Sequence, residues 1–145
     1  MTSKVISYET LNDAIRIAFE NDEDLLSFYD PNKQLNSIEE IISDVAAKIK
    51  THDNGELVIR GIYEGTYGLM GYFVFKNRLL ISFGMDVKYR NKRCLKTFWK
   101  IIKREMNDEV ACMLWSKNIR AIKWLAKNGM KVLFANEQVT QLVLI

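Results

Sequence analysis

A short basic turn, residues 88–93, joins a strand-like segment to a helix-like segment. Its residue types and its position suit the binding of a ligand. Lys92 and Arg93 fall at the start of that helix, where unpaired N–H groups and the helix dipole favour an anion. Asn118 occupies a second strand-to-helix junction and is a good N-cap for the following helix. Two helix N-termini at one edge of a sheet predict a site for an anionic group such as a phosphate.

Other kinds of chemistry are limited by what the chain contains. Cys94 and Cys112 are not at a metal-ligand spacing, and without an apolar export segment they are expected to be reduced thiols. His52, the only histidine, lies in a polar Thr-His-Asp-Asn-Gly turn and is expected to be a solvated loop residue. We therefore expect neither a histidine zinc site nor a Ser-His-Asp triad, and no metal.

The first half of the chain predicts a strand and two helices that support this turn. Residues 4–8 fit a strand, and apolar residues at helical spacing predict helices at 10–20 and 38–50. The second of these begins with a capping box formed by Ser37 and Glu40.

From residue 56 the pattern changes to short apolar segments separated by turns. These segments predict a three-stranded antiparallel meander, then strand-helix units and a last hairpin. The predicted strands are 56–64, 69–76, 79–87, 110–115, 131–135 and 139–145, and the predicted helices are 94–106 and 119–130.

Composition indicates an ordinary globular protein, which we expect to be one domain over residues 1–145. The 145 residues are 48% apolar and 27% charged, and no apolar run approaches the length of about 20 that spans a bilayer. A cytoplasmic location without a membrane partner is expected. Residues 1–55 hold 5 Lys/Arg against 11 Asp/Glu, whereas residues 56–145 hold 16 against 7. This split favours an anionic partner for the second part and a cationic one for the first, although mixed solvated surface also accounts for it.

The order of elements resembles the GCN5-related N-acetyltransferase (GNAT) superfamily. The motif that carries the resemblance is Asn118-Ile119-Arg120-Ala121 followed by a helix ending in Lys127-Asn128-Gly129-Met130, where family members often have Asn-x-x-Ala and Lys-x-Gly-Phe. The resemblance covers the whole chain by topology and residues 79–130 by motif. It implies an α+β fold with a mixed, mostly antiparallel sheet of about seven strands flanked by about four helices.

The resemblance also implies acetyl-CoA as co-substrate. In the family, a turn with the pattern Gln/Arg-x-x-Gly-x-Gly/Ala receives the pyrophosphate on its backbone N–H groups. Here the corresponding run keeps Arg90, but Arg93 and Leu95 replace the small residues. The cofactor-binding residues that the resemblance implies are Met85 and Val87, whose backbone would pair with pantetheine, together with Arg90, Lys92, Arg93, Cys94, Leu95 and Asn118.

For catalysis, family members often use a glutamate near the fourth strand as base and a tyrosine in the last helix as acid. Asp86 is the only acidic residue close to that strand, so it is the candidate catalytic residue, whereas Leu125 occupies the tyrosine position. The implied function is an acetyl-CoA-dependent N-acetyltransferase that acts on an unidentified amine, either a small molecule or a protein.

Two alternatives remain open at this point. One is a catalytically lapsed GNAT-fold protein with a structural or binding role, similar to small proteins of phage virions, which would place it in a host cytoplasm or a virion. The other is a nucleic-acid-binding module, the least favoured partner because Phe98 and Trp99 are expected to face the core rather than bases. A monomer or a homodimer is expected.

Overall fold

The computed structural model describes residues 1–35, 37–65 and 68–145. Its strands form one seven-stranded sheet in the order β1-β2-β3-β4-β5-β7-β6, and every neighbouring pair is antiparallel except β4 and β5. The strands are β1 Thr2–Val5, β2 Val58–Glu64, β3 Gly68–Lys76, β4 Leu79–Met85, β5 Ala111–Trp115, β6 Met130–Ala135 and β7 Val139–Leu144. The helices are α1 Tyr8–Phe19, α2 Glu23–Tyr29, α3 Ile38–Lys50, α4 Lys92–Glu105 and α5 Ile119–Lys127, with a single 3-10 turn at Val87–Tyr89. The predicted α+β fold with a mixed, mostly antiparallel sheet is confirmed.

The sheet separates two apolar cores, because successive side chains of a strand point to opposite faces. On one face, α1 and α3 pack against β2 and β3, with Leu11 and Ile15 of α1 fully buried. On the other face, α4 and α5 pack against the sheet, and Phe98, Ile102 and Leu125 are buried there. The two helical layers therefore stand on opposite sides of the same sheet.

A fifth helix, α2, is present where the sequence pattern gave only an acidic run. The Asp22 side chain accepts the N–H of Leu25 at 3.0 Å and thereby caps the helix, and Glu23 and Asp24 in the first turn suit the helix dipole. At seven residues α2 is too short to display a helical apolar period. The predicted turn at 65–68 includes residues 66 and 67, which lie outside the described residues.

The two cysteines differ sharply in environment, and this leads to a first prediction. Cys112 is buried in β5, and burial raises the pKa of its thiol to about 12, whereas Cys94 lies partly exposed in the first turn of α4. Because the thiolate is the reactive form, we expect one thiol to react with Ellman's reagent in the native protein and the second only in guanidinium chloride. Cys94→Ser should abolish the native reaction, and two rapid native reactions would contradict this placement.

Candidate active site

The centre of the molecule is a gap between the two parallel strands, β4 and β5. Their pairing extends over only two residue pairs, Leu79 with Ala111 and Leu80 with Cys112. Beyond these pairs, β4 continues along β3 to Met85, while β5 continues along β7 to Trp115. The strands therefore part towards their carboxyl ends, where the two strand-to-helix junctions of the sequence are found.

At the end of β4, the backbone N–H and C=O of Met85 face this gap. The N–H of Asp86 donates to the Met70 carbonyl of β3 at 2.8 Å. In an antiparallel ladder the adjacent residue points its N–H and C=O the other way, so those of Met85 face the gap. The Met85 carbonyl accepts a hydrogen bond there from Nε of Arg90 at 2.8 Å. The Met85 N–H points into the gap, where it can donate to an extended ligand that lies alongside β4.

The basic turn leads into α4 two residues earlier than the sequence indicated. Asn91 is the N-cap, and its side-chain oxygen accepts the Cys94 N–H at 2.9 Å. The Leu95 N–H donates a hydrogen bond to the Asn91 carbonyl at 3.0 Å. Both N–H groups thus have internal acceptors, which disfavours the predicted roles of Cys94 and Leu95 as backbone donors to a pyrophosphate. The first two N–H groups of α4, those of Lys92 and Arg93, have no carbonyl one turn back within the helix.

The side chain of Arg90 is directed inward. Besides the Met85 carbonyl, its guanidinium donates to the Ala18 carbonyl at 2.9 Å and forms an ion pair with Asp22. A guanidinium held by three internal acceptors is not available to a phosphate without losing them. These contacts disfavour the predicted cofactor role of Arg90, and the residue fixes the turn after β4 to α1 and to the start of α2.

Asp22 is the centre of this ion-pair cluster, and only 5% of its surface is exposed. One carboxylate oxygen accepts from Arg90 and from Arg120 of α5, the latter at 2.7 Å, and the other oxygen caps α2. Burial by itself raises the pKa of this carboxyl, but hydrogen bonds from Arg90, the Leu25 N–H and Arg120 outweigh burial and lower it. Asp22 is therefore ionised at neutral pH and joins three separate segments around the gap.

The gap opens into a cavity of about 1390 Å³, a volume that suits a long ligand. Of the predicted cofactor-binding residues, the cavity is lined by Met85, Val87, Arg90, Leu95 and Asn118. Asn118 caps α5 by accepting the Ala121 N–H at 3.4 Å, as predicted from its position. Lys92, Arg93 and Cys94 are outside the cavity lining, in the first turn of the helix to which Leu95 belongs.

Asp86, the predicted catalytic residue, is also outside the lining of this cavity. Its side chain accepts the Lys88 N–H at 3.2 Å and caps the 3-10 turn that follows β4. A carboxylate that caps a turn and lies outside the cavity lining is badly placed to take a proton in the gap. This geometry disfavours Asp86 as the base, and its role in catalysis stays a prediction.

Two hydroxyl groups, one from β3 and one from β4, line the cavity on the face of the sheet that α1 covers. Ser82 Oγ and Tyr72 Oη lie 2.9 Å apart, and both residues contribute to the cavity wall. Burial raises the pKa of Tyr72 to about 12, so this phenol keeps its proton at neutral pH. The pair can donate hydrogen bonds or pass a proton, but neither group is a base at pH 7.

An aromatic cluster closes the cavity beyond the end of β5. Trp115 packs against Phe28 and Tyr29 of α2, with ring centroids 5.7 and 5.8 Å apart. The Tyr29 hydroxyl donates to Asp44 at 2.5 Å and accepts from Lys48 at 3.0 Å. The Lys48 ammonium stands 4.9 Å from the Tyr29 ring and 5.3 Å from the Trp115 ring. The cluster thus already holds one ammonium group by cation–π contact.

Sequence reasoning missed Arg120, Tyr72, Ser82 and the aromatic cluster, and it recognised Asp22 only as part of an acidic run rather than as the centre of an ion-pair cluster. A signal for Asp22 was present, because an aspartate followed by Glu23 and Asp24 and then by an apolar pair is typical of a helix start. The hydroxyl pair and the ring cluster gave no local signal, since each joins residues that are distant in sequence.

The same architecture occurs in solved N-acetyltransferases. The chain aligns with PaiA N-acetyltransferase from Thermoplasma acidophilum, solved in complex with coenzyme A, over 99% of each chain, with a TM-score of 0.65 and 15% identity. It aligns over 99% of its length and 94% of the other with spermidine N-acetyltransferase from Vibrio cholerae, solved with CoA and spermine, with a TM-score of 0.61 and 12% identity. For aminoglycoside 6'-acetyltransferase type Ii, the coverage is 99% and 96%, the TM-score 0.58 and the identity 11%.

The chain therefore has the fold of the GCN5-related N-acetyltransferases, with strands β4 and β5 apart at the position of the gap. No protein-family model matches the sequence, and no curated protein matches it either. Within the part of the chain that the structure describes, none of the helices is both long and apolar enough to cross a membrane.

Proposed function

We propose that this protein is an acetyl-CoA-dependent N-acetyltransferase that acts on a cationic amine. The observation that carries the proposal is the separation of β4 from β5, which leaves backbone N–H groups and a helix N-terminus at the mouth of a large cavity. The coenzyme A complexes of two proteins with the same fold support it.

In this proposal the cofactor lies in the gap, with its pantetheine arm along the end of β4. The N–H groups of Met85 and Val87 donate to that arm, since both carbonyls already accept from Arg90, and Asn118 borders it from the start of α5. The side chains and free N–H groups of Lys92 and Arg93 bind the phosphates at the α4 N-terminus. The charged side chains of that turn then replace contacts that the backbone N–H groups of a glycine-rich turn would make with the phosphates. The bound cofactor supplies a thioester whose acyl carbon accepts the amine.

The reaction requires the acceptor ammonium to lose a proton before its nitrogen forms the new C–N bond and the C–S bond breaks. Asp22 is a poor base for this step, because its lowered pKa and two arginine partners stabilise the ionised form. The exposed carboxylates of Glu23 and Asp24 also line the cavity, and in our proposal they take the proton through water. The Tyr72–Ser82 pair, which keeps its protons at neutral pH, donates a hydrogen bond to the departing thiolate, and the thiolate takes its proton from solvent.

The acceptor side suits a cation. Glu23, Asp24 and the rings of Phe28 and Trp115 lie on the wall that α2 and β5 contribute. Carboxylates and aromatic faces both attract an ammonium group. Spermidine N-acetyltransferase, which has the same fold, was solved with spermine, and this supports a cationic amine as acceptor here.

Thermal unfolding in the presence of acetyl-CoA tests the cofactor half of the proposal. At about one hundred times its dissociation constant, a ligand of the native state adds about 2.7 kcal/mol of stability, which raises Tm by several degrees in a domain of this size. Acetyl-CoA and CoA should both produce the shift. An unchanged Tm at millimolar acetyl-CoA would reject the proposal and favour the catalytically lapsed alternative.

A charge variant tests how the phosphates are held. Lys92→Gln combined with Arg93→Gln should weaken acetyl-CoA binding about tenfold or more, because a hydrogen bond to a charged group contributes about 1.5 to 3 kcal/mol. Lys100→Gln combined with Lys103→Gln removes the same charge from the same helix two turns further on and is the matched control. Equal weakening by both pairs, measured by titration calorimetry, would contradict a phosphate site at the α4 N-terminus.

A further inference from the structure

The outer surface of α4 and α5 carries a concentration of positive charge, most of which the proposed reaction does not use. We call this surface the basic face. It is formed by Lys92, Arg93, Lys96, Lys100, Lys103 and Arg104 of α4 and by Arg120, Lys123 and Lys127 of α5. Glu105 is the only acidic residue in these two helices, and it pairs inward with Arg60 at 3.6 Å.

The cations of α4 form one continuous stripe. At about 100° per residue, all six lie within about 120° of the helix circumference, whereas Phe98, Trp99 and Ile102 occupy the buried side. Lys92, Lys96, Lys100 and Arg104 follow one another at four-residue spacing, a rise of about 6 Å for each step. The stripe therefore extends about 18 Å from the helix N-terminus, well beyond the turn that would hold a cofactor phosphate.

Internal contacts do not explain this arrangement. Like charges four residues apart on a helix repel one another, and α4 has no acidic residue in its first turn to suit the dipole. Among the described residues, the ion pairs of the basic face are those of Arg104 with its neighbour Glu105 and of Arg120 with Asp22. The helix thus carries repulsion that an external polyanion would relieve.

The charge belongs to this face rather than to the protein as a whole. On the opposite side of the sheet, the helices α1, α2 and α3 together hold 3 Lys/Arg and 7 Asp/Glu. The helical layers on the two sides of the sheet therefore carry opposite charge. A polyanion that approaches the molecule is steered towards α4 and α5.

We propose that the basic face binds the phosphate backbone of double-stranded nucleic acid. The ring of Trp124, the aromatic residue of α5, packs against Phe83, Phe98 and Trp99, so these helices present no ring on which an unpaired base could stack. That property opposes single strands but not a duplex, which is bound through its phosphates. The outward arc of α4 also contains no apolar side chain to enter a lipid surface.

The test uses the full-length protein without acetyl-CoA, so that its outcome is independent of the proposed transferase activity. Mixed-sequence DNA and RNA duplexes of about 20 base pairs are labelled, and their binding is followed by fluorescence anisotropy at increasing potassium chloride. If six phosphates are contacted, log Kd should change with log salt with a slope of about 5, so that affinity falls about a thousandfold between about 50 and 200 mM. The two duplexes together distinguish a DNA partner from an RNA partner.

Charge variants locate the surface. The triple change Lys96→Gln, Lys100→Gln and Lys103→Gln should reduce the salt slope by about three, while glutamine preserves helix propensity. It leaves Lys92 and Arg93 in place, so acetyl-CoA binding should be unaffected. The matched control is Lys33→Gln, Lys50→Gln and Lys76→Gln, which removes the same charge in or beside α3 and should bind duplex like the original protein.

Four results would overturn the proposal, and the first three concern the duplex and lipid measurements. They are an absence of duplex binding at 50 mM salt, equal weakening by the control triple, and binding to vesicles of anionic lipid by a protein that does not bind duplex. Tighter binding to a single strand of the same sequence, unaffected by the triple change on α4, would also overturn it. Circular dichroism of both triples establishes that each variant is folded.

Discussion

Asp22→Asn should lower the free energy of unfolding by about 3 kcal/mol at pH 7, since removing one partner of a buried ion pair typically costs about 3 to 5 kcal/mol. Asparagine retains an oxygen that can accept the Leu25 N–H and cap α2. The loss therefore reports the charge that Asp22 presents to Arg90, whose side chain is mostly buried, and to Arg120, which water screens more. Urea unfolding followed by circular dichroism measures it.

The stability that Asp22 contributes should depend on pH. Because the pKa of Asp22 is lowered in the folded protein, its carboxylate stabilises the fold fully above the unfolded pKa of about 3.9, and the effect is lost as pH falls through the folded value. The difference in unfolding free energy between the original protein and Asp22→Asn should thus be constant above about pH 5 and shrink below about pH 4.

Asp24→Asn is the control for this experiment. It removes the same charge two residues away, from an exposed side chain in the first turn of α2, and should cost less than about 1 kcal/mol. An equal loss from the two variants, or a difference that does not change between pH 6 and pH 3, would show that the Asp22 cluster is not what stabilises this region.

The expected size of this effect reflects what the Asp22 cluster joins. Through Arg90 it fixes the turn that leads into α4, and through Arg120 it fixes the start of α5. Through its own cap it fixes the start of α2. These three segments border the cavity, so one carboxylate couples the proposed phosphate side to the acceptor side. We therefore expect Asp22→Asn to weaken acetyl-CoA binding, although Asp22 itself does not contact the cofactor in the proposed complex.

Local patterns were sufficient to predict most of the architecture. Ser37 with the apolar stripe of α3, and Asn118 before α5, are signals contained within a few residues, and both helices begin where those caps predict. The family-like order of elements implied that Met85 and Val87 present their backbone to pantetheine, and the two-residue pairing of β4 with β5 leaves a gap beside Met85 where such a ligand would lie. Periodicity failed for α2 because the helix is shorter than two full periods of the pattern.

The site was harder to predict because its side chains are selected by contacts that are distant in sequence. Arg90 looked like a phosphate ligand from its place in the turn, yet its actual partner lies 68 residues away at Asp22. Asp86 looked like a base because it was the nearest acid to β4, but its carboxylate caps the next turn. In both cases the residue type was compatible with two roles, and only the three-dimensional neighbours decide between them.

Filling the gap from α5 should abolish cofactor binding while leaving the fold intact. Ala121 lies in the first turn of α5, its small side chain lines the cavity, and it is only partly buried, so a tryptophan there can extend into the space without entering a packed core. A bulky ring in the proposed path of the pantetheine arm would exclude the ligand sterically. We expect Ala121→Trp to lose the whole increase of about 2.7 kcal/mol that about one hundred times the dissociation constant of acetyl-CoA gives the original protein.

The control is Ala126→Trp, which places the same ring on the exposed side of the same helix, outside the cavity lining. It should retain the acetyl-CoA shift, and both variants should unfold near the Tm of the original protein without ligand. If Ala121→Trp kept full binding while Ala126→Trp behaved identically, the cofactor would not pass between β4 and α5, and the gap would have to be assigned another occupant. A selective loss in Ala121→Trp instead ties binding to the space that opens where β4 leaves β5.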